Sequence, residues 1–250
     1  MKKIEKIIQN AAATAGGNTK NHTSEKEKCP FNQCDGSGWC MDSENRVYRC
    51  KCQVVREKQA RAERLFVAAK IPKRFRNKNL EDFDTKLQQD AWKIATRYVE
   101  KFDELREKDK NGLCFIGPTG TGKSHLAYGI LNSLLAKGVP GLCGSVPEIM
   151  DQLRNYSEGE TTERLELLKT LDVVILDDLG AERNSPWVTE RLYVIINSRY
   201  NEVLPTIITS NHELEELQEL PGWERITSRI FEMCHLVVVD GPDYRKGGES

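Results

Sequence analysis

Residues 117–124, GPTGTGKS, have the composition and spacing of a phosphate-binding loop. The loop follows an apolar run at 113–117 and precedes an apolar-periodic segment that predicts a helix through Lys137. A strand, a glycine-rich loop and a helix in this order direct backbone N–H groups and the helix N-terminus at phosphate oxygens. Lys123 is expected to reach the β- and γ-phosphates, and Ser124 to ligate Mg²⁺. The predicted nucleotide-binding residues are Gly117, Pro118, Thr119, Gly120, Thr121, Gly122, Lys123, Ser124 and His125.

A second group of reactive side chains follows an apolar strand at residues 171–180, LDVVILDDLG. Asp177 is predicted to hold the magnesium ion through water, and Asp178 to polarise the attacking water. A third apolar strand at 205–211 ends in Asn211 and is expected to lie between the first two. That position would bring the Asn211 amide close to the γ-phosphate.

Two further strand patterns complete the sheet that positions these residues. They lie at 139–146 and 235–241, and helical patterns separate all five strands. This alternation predicts an α/β fold with a five-stranded parallel sheet flanked by helices, and with nucleotide at the carboxyl ends of the strands.

The N-terminal region carries a dense cysteine cluster, CPFNQCDGSGWC followed by YRCKC. The start of the chain does not match a secretion signal, so thiolate coordination of zinc is favoured over disulfides. Cys29, Cys34, Cys50 and Cys52 are the predicted zinc ligands, one pair on each side of a small hairpin, and Cys40 is the alternative ligand. Free thiols are the competing interpretation. A module of this size needs the folding energy of a metal because it cannot bury a sufficient core.

The formal net charge of −1 hides an uneven distribution along the 250 residues. Residues 46–79 hold 12 basic and 2 acidic side chains, whereas residues 80–250 hold 19 basic and 30 acidic ones. A basic segment of this kind contacts a polyanion or an acidic protein surface, or forms the solvated face of a helix. No apolar run approaches the ~18 residues of a membrane span, so we expect a cytoplasmic protein with no membrane partner.

Seven motifs in a fixed order carry a family resemblance over about two thirds of the chain. They are IPKRFRNKNLEDF (71–83), GPTGTGKSHLA (117–127), VVILDDLGAE (173–182), W-x-x-x-R-L-Y-x-I-I-N-x-R-Y (187–200), PTIITSN (205–211), ERITSRI (224–230) and DYRK (243–246). Together they resemble the AAA+ ATPases of the bacterial replicative-helicase loader family (DnaC/DnaI-like), with the IstB-like transposition helpers as close relatives. The cysteine cluster resembles the zinc module of the loader branch.

The resemblance implies a role for each matching residue. Lys123 and Ser124 match Walker A, Asp177 and Asp178 match Walker B, Asn211 matches sensor 1, Arg229 the arginine finger that acts on a neighbouring subunit's ATP, and Arg245 sensor 2. Arg225, four residues before Arg229, is the alternative finger.

Two features depart from the general AAA+ pattern, although the loader branch tolerates the first and shares the second. Asp178 stands where many AAA+ proteins have glutamate, and only nine residues follow Gly241. The shorter acid predicts slow hydrolysis, and the short tail predicts a core without a full helical lid.

Four domains are expected. They are an N-terminal helix and flexible linker (1–28), a zinc-binding module (29–53), a basic helical connector (54–80) and the AAA+ ATPase domain (81–250). Helices are predicted over Met1–Ala13 and over Gln53–Lys70, the second ended by Ile71-Pro72.

The resemblance implies an ATP-dependent loader with ATP, Mg²⁺ and Zn²⁺ as cofactors. It would bind a hexameric replicative DNA helicase and assist its placement on single-stranded DNA during replication initiation or restart. Self-association through the ATP site would accompany this, with hydrolysis stimulated by DNA or assembly. The alternatives are an IstB-like transposition helper acting on double-stranded DNA and a nucleotide-gated adaptor with negligible hydrolysis.

Overall fold

The computed structural model describes residues 29, 31, 33–155 and 157–246. Two compact units emerge, one comprising the chain up to Ala68 together with Ala136–Gly138, and the other comprising Ala69–Leu135 and the chain from Val139 onward. The helix predicted over Met1–Ala13 lies outside the described residues. Within the described ranges, no helix is both long enough and apolar enough to cross a membrane.

The N-terminal unit contains an antiparallel hairpin followed by a long helix. Strand β1 (Trp39–Met41) pairs with β2 (Val47–Arg49), and helix α1 spans Lys51–Ala68. The hairpin that was expected between the cysteine pairs is therefore present. Helix α1 begins two residues before the predicted start at Gln53, so it already includes Cys52. It ends before Lys70, whose left-handed backbone (φ 54°) is incompatible with a continuing helix.

The larger unit is built on a five-stranded parallel sheet with the order β4-β5-β6-β3-β7. Its strands are β3 (Gly112–Ile116), β4 (Gly141–Ser145), β5 (Val173–Leu179), β6 (Thr206–Ser210) and β7 (Cys234–Val238). The central strands are almost entirely buried because helices cover both faces, which explains their continuous apolar sequences. The predicted parallel sheet is confirmed, and so is the placement of β6 between β3 and β5.

Helices connect the strands of this sheet. They are α2 (Thr85–Glu100), α3 (Phe102–Leu105), α4 (Lys123–Ala136), α5 (Val146–Asn155), α6 (Glu158–Thr170), α7 (Pro186–Asn201), α8 (Leu214–Gln218) and α9 (Glu224–Met233), with 3₁₀ turns at Lys73–Phe75 and Tyr244–Lys246. Helix α7 begins where the local sequence dictates: Ser185 accepts a hydrogen bond from the Val188 N–H, and Pro186 occupies the first turn.

A fully buried arginine fastens helix α7 to its neighbours. Arg199 Nε donates to Thr206 Oγ1 (2.9 Å), and Nη2 donates to the carbonyl oxygen of Pro205 (2.7 Å). Its Nη1 donates to the carbonyl oxygens of Leu168 and Leu171 at the end of α6, both at 3.0 Å. Burial lowers the pKa of Arg199 to about 9. One side chain thus donates to the carbonyl oxygens of Leu168 and Leu171 at the end of α6 and to the carbonyl oxygen of Pro205, which also accepts from the Val174 N–H of β5.

Candidate nucleotide site and thiolate cluster

The glycine-rich loop joins β3 to the N-terminus of α4. Gly117 and Gly120 have φ values of 148° and 86°, where a side chain is strained. A Cβ at Gly117 would also collide with the carbonyl oxygen of Val239, and one at Gly120 with the Asp243 carboxylate. The loop can therefore approach the strand end of β7 and the C-terminal 3₁₀ turn this closely only as glycine.

Lys123 opens helix α4 and lies buried against the loop. Its Nζ donates to the carbonyl oxygens of Gly117 (2.7 Å) and Pro118 (2.6 Å). Burial lowers the pKa of Lys123; the negative charges of Asp178 and Asp177 oppose the change, and the positive charge of Arg245 adds to it. The ammonium group is thus held inside the loop, where hydrogen-bond acceptors surround it.

The first of the two acids at the end of β5 accepts hydrogen bonds from several hydroxyl groups. Ser124 Oγ donates to Asp177 Oδ1 at 2.8 Å, and Thr209 Oγ1 donates to the same oxygen at 2.6 Å. Burial raises the pKa of Asp177; the Thr209 hydrogen bond opposes the rise, and the nearby charge of Asp178 adds to it. Hydrogen bonds from Ser124 and Tyr128 also lower this pKa. A carboxylate and a hydroxyl this close are oxygen donors of the kind that Mg²⁺ takes.

The second acid, Asp178, has a left-handed backbone with φ 56°. Its backbone N–H donates to Thr209 Oγ1 at 2.9 Å, and its side chain lines a cleft above the loop. Thr209 was not among the predicted site residues. The available signal was its place near the end of the β6 sequence, PTIITSN, beside the strand that carries both acids.

The cleft has a volume of about 290 Å³ and brings most of the predicted site residues together. Its lining includes the predicted residues Thr119, Gly120, Gly122, Lys123, Ser124, His125, Asp178, Asn211 and Arg245. Gly117, Pro118, Thr121 and Asp177 do not line it. Four lining residues were missed as site residues: Arg74, Phe75, Lys78 and Tyr244.

Three of the lining residues that the sequence did not predict, Arg74, Phe75 and Lys78, lie in the segment that precedes α2. The Phe75 ring stacks on Tyr128 of helix α4, with centroids 4.3 Å apart and an interplanar angle of 11°. Asn132 Nδ2 donates to the carbonyl oxygens of Phe75 (2.9 Å) and Lys78 (2.7 Å). Sequence reasoning treated this segment as part of a basic connector, since its charge concealed its packing role.

The two arginines assigned by resemblance lie in different places. Arg245 lines the cleft, whereas Arg229 on α9 does not. Arg229 Nε donates to Asn197 Oδ1 (2.7 Å), and its guanidinium lies 4.9 Å from the centre of the Tyr193 ring. The alternative finger, Arg225, is exposed one turn earlier on the same helix.

Four of the five clustered cysteines converge. The sulfur atoms of Cys29, Cys34, Cys50 and Cys52 all lie within 4.8 Å of one another. The Cys29–Cys50 and Cys34–Cys52 sulfur pairs are 3.7 and 3.5 Å apart. Tetrahedral zinc with Zn–S bonds of about 2.3 Å requires sulfur atoms about 3.8 Å apart. The donor set therefore fits a zinc ion, and all eight cysteines are free thiols.

The fifth cysteine, Cys40, is buried beside this group, but its sulfur atom is not among the four that converge. Cys40 Sγ donates to the carbonyl oxygen of Gln33 at 3.0 Å. Within the group, burial disfavours the Cys29 thiolate, but hydrogen bonds from the backbone of Gln33 and Cys34 lower its pKa to about 6. Burial and contacts with neighbouring sulfur atoms raise the pKa of Cys52 to about 12. Sharing one divalent cation is the chemistry that would relieve such crowding of thiolates.

Proteins of bacterial genomes are similar to this chain. The phage-like element PBSX protein XkdC of Bacillus subtilis is 28% identical over 207 residues, covering 78% of this chain and 75% of that protein. The replicative helicase loader DnaC of Escherichia coli is 32% identical over 146 residues, covering 57% of this chain and 58% of the loader. The putative ATP-binding protein of insertion sequence IS5376 from Geobacillus stearothermophilus is 31% identical over 196 residues, covering 76% of this chain and 75% of that protein.

Solved structures agree with this relationship. The DnaC helicase loader structure is 33% identical with a TM-score of 0.59, covering 67% of this chain and 99% of that one. The DnaI structure is 30% identical with a TM-score of 0.57, covering 70% of this chain and 94% of that one. The family model described as IstB-like ATP binding protein matches residues 44–250. The DnaC and DnaI helicase loaders are thus relatives of this chain in both sequence and fold. The chain therefore belongs to the IstB-like ATP-binding protein family and is a replication-related AAA+ ATPase.

Proposed function

We propose that this ATPase binds a hexameric replicative DNA helicase and assists its placement on single-stranded DNA during replication initiation or restart. The proposal rests on one combination: a nucleotide cleft in a unit similar to DnaC and DnaI, carried by the same chain as a zinc-type thiolate cluster. The alignment spans 58% of the DnaC loader, so the loader's activity is extended to this chain as a proposal.

In this function the cleft binds ATP with its phosphates along the glycine-rich loop. The Lys123 ammonium would exchange two backbone carbonyls for phosphate oxygens, which are better acceptors for a cation. Ser124 and Asp177 would hold Mg²⁺, which neutralises charge on the phosphates when bound. Asp178 would polarise the attacking water, and the amide of Asn211, which also lines the cleft, would contact the γ-phosphate.

The two arginines would act on ATP molecules bound to different subunits. Arg245 lines the cleft of its own chain, so it would act on the ATP bound there. Arg229 lies outside that lining and would reach the ATP of a neighbouring copy. A guanidinium in this role can contribute ~10³–10⁵ in rate. Self-association through the ATP site is therefore part of the proposal.

Subunit mixing tests the shared site. Lys123→Ala chains lack the phosphate-binding ammonium, and Arg229→Ala chains lack the finger. A mixture of the two is expected to regain part of the ATPase activity that each variant has lost, because one mixed interface carries both groups. An assembled mixture without recovery would contradict Arg229 acting on a neighbour, and Arg225→Ala in the same experiment would then test the alternative finger.

The N-terminal unit would hold the helicase, with Cys29, Cys34, Cys50 and Cys52 binding the zinc ion that shapes it. The basic side chains of residues 54–80 would contact an acidic surface of the helicase or the DNA backbone. Copurification with the hexameric helicase of the same genome tests this directly. The double variant Cys29→Ser/Cys34→Ser is expected to lose the helicase, while Cys40→Ser retains it. Undiminished capture by the double variant would refute the assignment of helicase binding to the zinc-bound unit, and a wild-type protein that captures no helicase would overturn the proposal itself.

A transposition helper is the second candidate, because the family model carries the IstB name and the IS5376 protein aligns over most of its length. A helper would prefer double-stranded DNA, and a loader would prefer single strands. Binding of both forms across a salt series distinguishes the two, since phosphate contacts set the salt dependence of each. Stronger binding to duplex DNA at every salt concentration would favour the helper.

A further inference from the structure

We propose that Thr209 is a positioning residue of the ATPase site, whose single hydroxyl group holds both acids of strand β5. This inference deepens the proposed function, because it depends on Asp177 holding Mg²⁺ and Asp178 polarising water. Thr209 would not touch nucleotide or metal itself. It is fully buried on strand β6, beneath the cleft.

The register between β5 and β6 changes where the acids lie. Leu176 pairs with Ile208, and the next pair along the two strands is Leu179 with Ser210. Two residues of β5 therefore lie opposite the single residue Thr209, which is the pattern of a β-bulge. Bulges redirect side chains and interrupt the backbone hydrogen bonds of the ladder. The two bulged residues are Asp177 and Asp178.

The bulge leaves the Asp178 N–H without a ladder partner, and the Thr209 hydroxyl replaces that partner. Asp178 has φ 56°, and a left-handed residue persists only where its surroundings determine it. The Asp178 N–H donates to Thr209 Oγ1 at 2.9 Å. The backbone that aims the second acid into the cleft is thus fixed through this hydroxyl.

The same hydrogen bond sets the direction of the hydroxyl proton. A hydroxyl group has one proton to donate, and Thr209 Oγ1 already accepts from Asp178. Its proton therefore goes to Asp177 Oδ1, 2.6 Å away. In the proposed function Ser124 Oγ would ligate Mg²⁺ and would no longer donate to Asp177. Thr209 then remains as a fixed donor that orients the metal-binding carboxylate.

The neighbouring serine provides a matched control. Ser210 is equally buried on β6, and its Oγ donates to the carbonyl oxygen of Leu179 at 2.8 Å and accepts from the His212 N–H at 3.0 Å. It joins the same two strands beyond the bulge but contacts neither acid through these bonds. Ser210→Ala therefore removes a buried interstrand hydroxyl without disturbing the positioning that we assign to Thr209.

The test compares Thr209→Val, which keeps the shape and removes the hydroxyl, with Thr209→Ser and Ser210→Ala. We measure thermal unfolding, affinity for ATP with EDTA, affinity for ATP with Mg²⁺, and kcat across a Mg²⁺ series.

Thr209→Val is expected to lower kcat by about 10–100-fold, the usual effect of losing a hydrogen bond to a metal ligand. It should also need more Mg²⁺ while its Mg²⁺-free affinity stays within about threefold of wild type, a change too small to count as lost binding. Thr209→Ser should recover most of the loss, and Ser210→Ala should keep kcat within about threefold.

Several results would overturn the inference. These are a folded Thr209→Val protein with wild-type kcat and Mg²⁺ response, a Thr209→Ser protein as impaired as the valine variant, or an equal loss of kcat in Ser210→Ala. If Thr209→Val does not fold, Thr209→Cys replaces it, because its thiol has a similar size and is only a weak donor. Thr209→Cys is then expected to fall between valine and serine in kcat, and wild-type behaviour would refute the assignment.

The readouts also separate this inference from the proposed function. If the wild-type protein binds ATP but turns over none, the hydrolytic part of that function fails, and the Mg²⁺-dependent gain in ATP affinity becomes the readout for Thr209. Thr209→Val should then lose this gain, and an unchanged gain would overturn the inference. If the ATP affinity of the wild-type protein is the same with and without Mg²⁺, both the role of Asp177 and this inference are refuted. Failure to bind a helicase would leave the Thr209 result unaffected.

Discussion

At the scale of single residues, the backbone explains why Asp178 stands where many AAA+ proteins have glutamate. The residue occupies a bulge with φ 56°, and aspartate and asparagine adopt this left-handed region more readily than longer side chains do. The aspartate in place of glutamate, from which slow hydrolysis was predicted, thus suits the local backbone conformation.

Asp178→Asn tests this residue with little change of shape. We expect the variant to fold and to bind MgATP like wild type, because asparagine tolerates the same backbone. Its kcat should fall by about 10²–10⁴-fold, the usual contribution of a catalytic base. Steady-state ATPase assays beside nucleotide titrations measure both quantities. Hydrolysis at the wild-type rate would remove Asp178 from the proposed mechanism.

Burial of the neighbouring Asp177 links the stability of the protein to pH, and the direction of its pKa shift gives the sign of that link. Burial raises the pKa of Asp177, so between the unfolded and folded pKa values the folded state retains a proton that the unfolded chain has released. Stability therefore falls as the pH rises through that interval. Above the folded pKa the carboxylate is ionised in both states, and the full cost of burying the charge is present.

Asp177→Asn removes that charge and keeps an oxygen that can accept from Thr209. In EDTA at pH 7 we expect the free energy of unfolding to rise by about 0.5–2 kcal/mol, a common gain when a residue kept for function rather than for stability is replaced. The gain should shrink in acid, where the wild-type carboxyl is protonated too. Urea unfolding at both pH values measures it. A less stable variant at pH 7 would show that burial of the carboxylate has no net cost.

At the scale of secondary-structure elements, the strands and their order were predictable, whereas the bulge was not. Continuous apolar runs marked β3, β5 and β6, and the polar residues ending them indicated a shared edge. Register depends on hydrogen bonds between distant segments, so the sequence did not reveal that Thr209 faces both acids. Likewise, the basic charges around Phe75 did not show that its ring would stack on Tyr128 and form a wall of the cleft.

Helix α7 depends on Arg199 for its attachment to α6 and β6. Arg199→Lys keeps the positive charge but cannot reproduce the planar set of donors to Leu168, Leu171 and Pro205. Leaving buried carbonyl groups unsatisfied should lower the free energy of unfolding by about 2–5 kcal/mol. Denaturant unfolding compares this variant with Arg154→Lys, an exposed control expected to change stability by less than about 0.5 kcal/mol. Equal stability of both variants would refute the attachment role.

At the scale of the whole molecule, two compact units stabilise themselves by different physical means. The larger unit buries an extensive apolar core around its sheet, including Phe115, Ile175 and Ile208. In the N-terminal unit, the buried side chains that surround the hairpin are chiefly cysteines. Their thiols contribute little hydrophobic burial for their number, so metal coordination is the expected source of folding energy in that unit.

Zinc removal should therefore affect the two units separately. We expect the purified protein to carry one zinc per chain, and Cys50→Ser/Cys52→Ser to lose it, because two of four ligands are gone. Amide hydrogen exchange should then rise throughout β1, β2 and the start of α1 but stay unchanged in β3, β5 and β6. ATP affinity should match wild type within about threefold, a difference of less than 1 kcal/mol.

Cys40→Ser is the matched control and should keep both its zinc and its protection from hydrogen exchange. Full zinc content after loss of Cys50 and Cys52 would show that the ligands lie elsewhere, and loss of zinc from Cys40→Ser would restore that residue as a ligand. A concurrent loss of protection in the sheet would show that the two units fold as one.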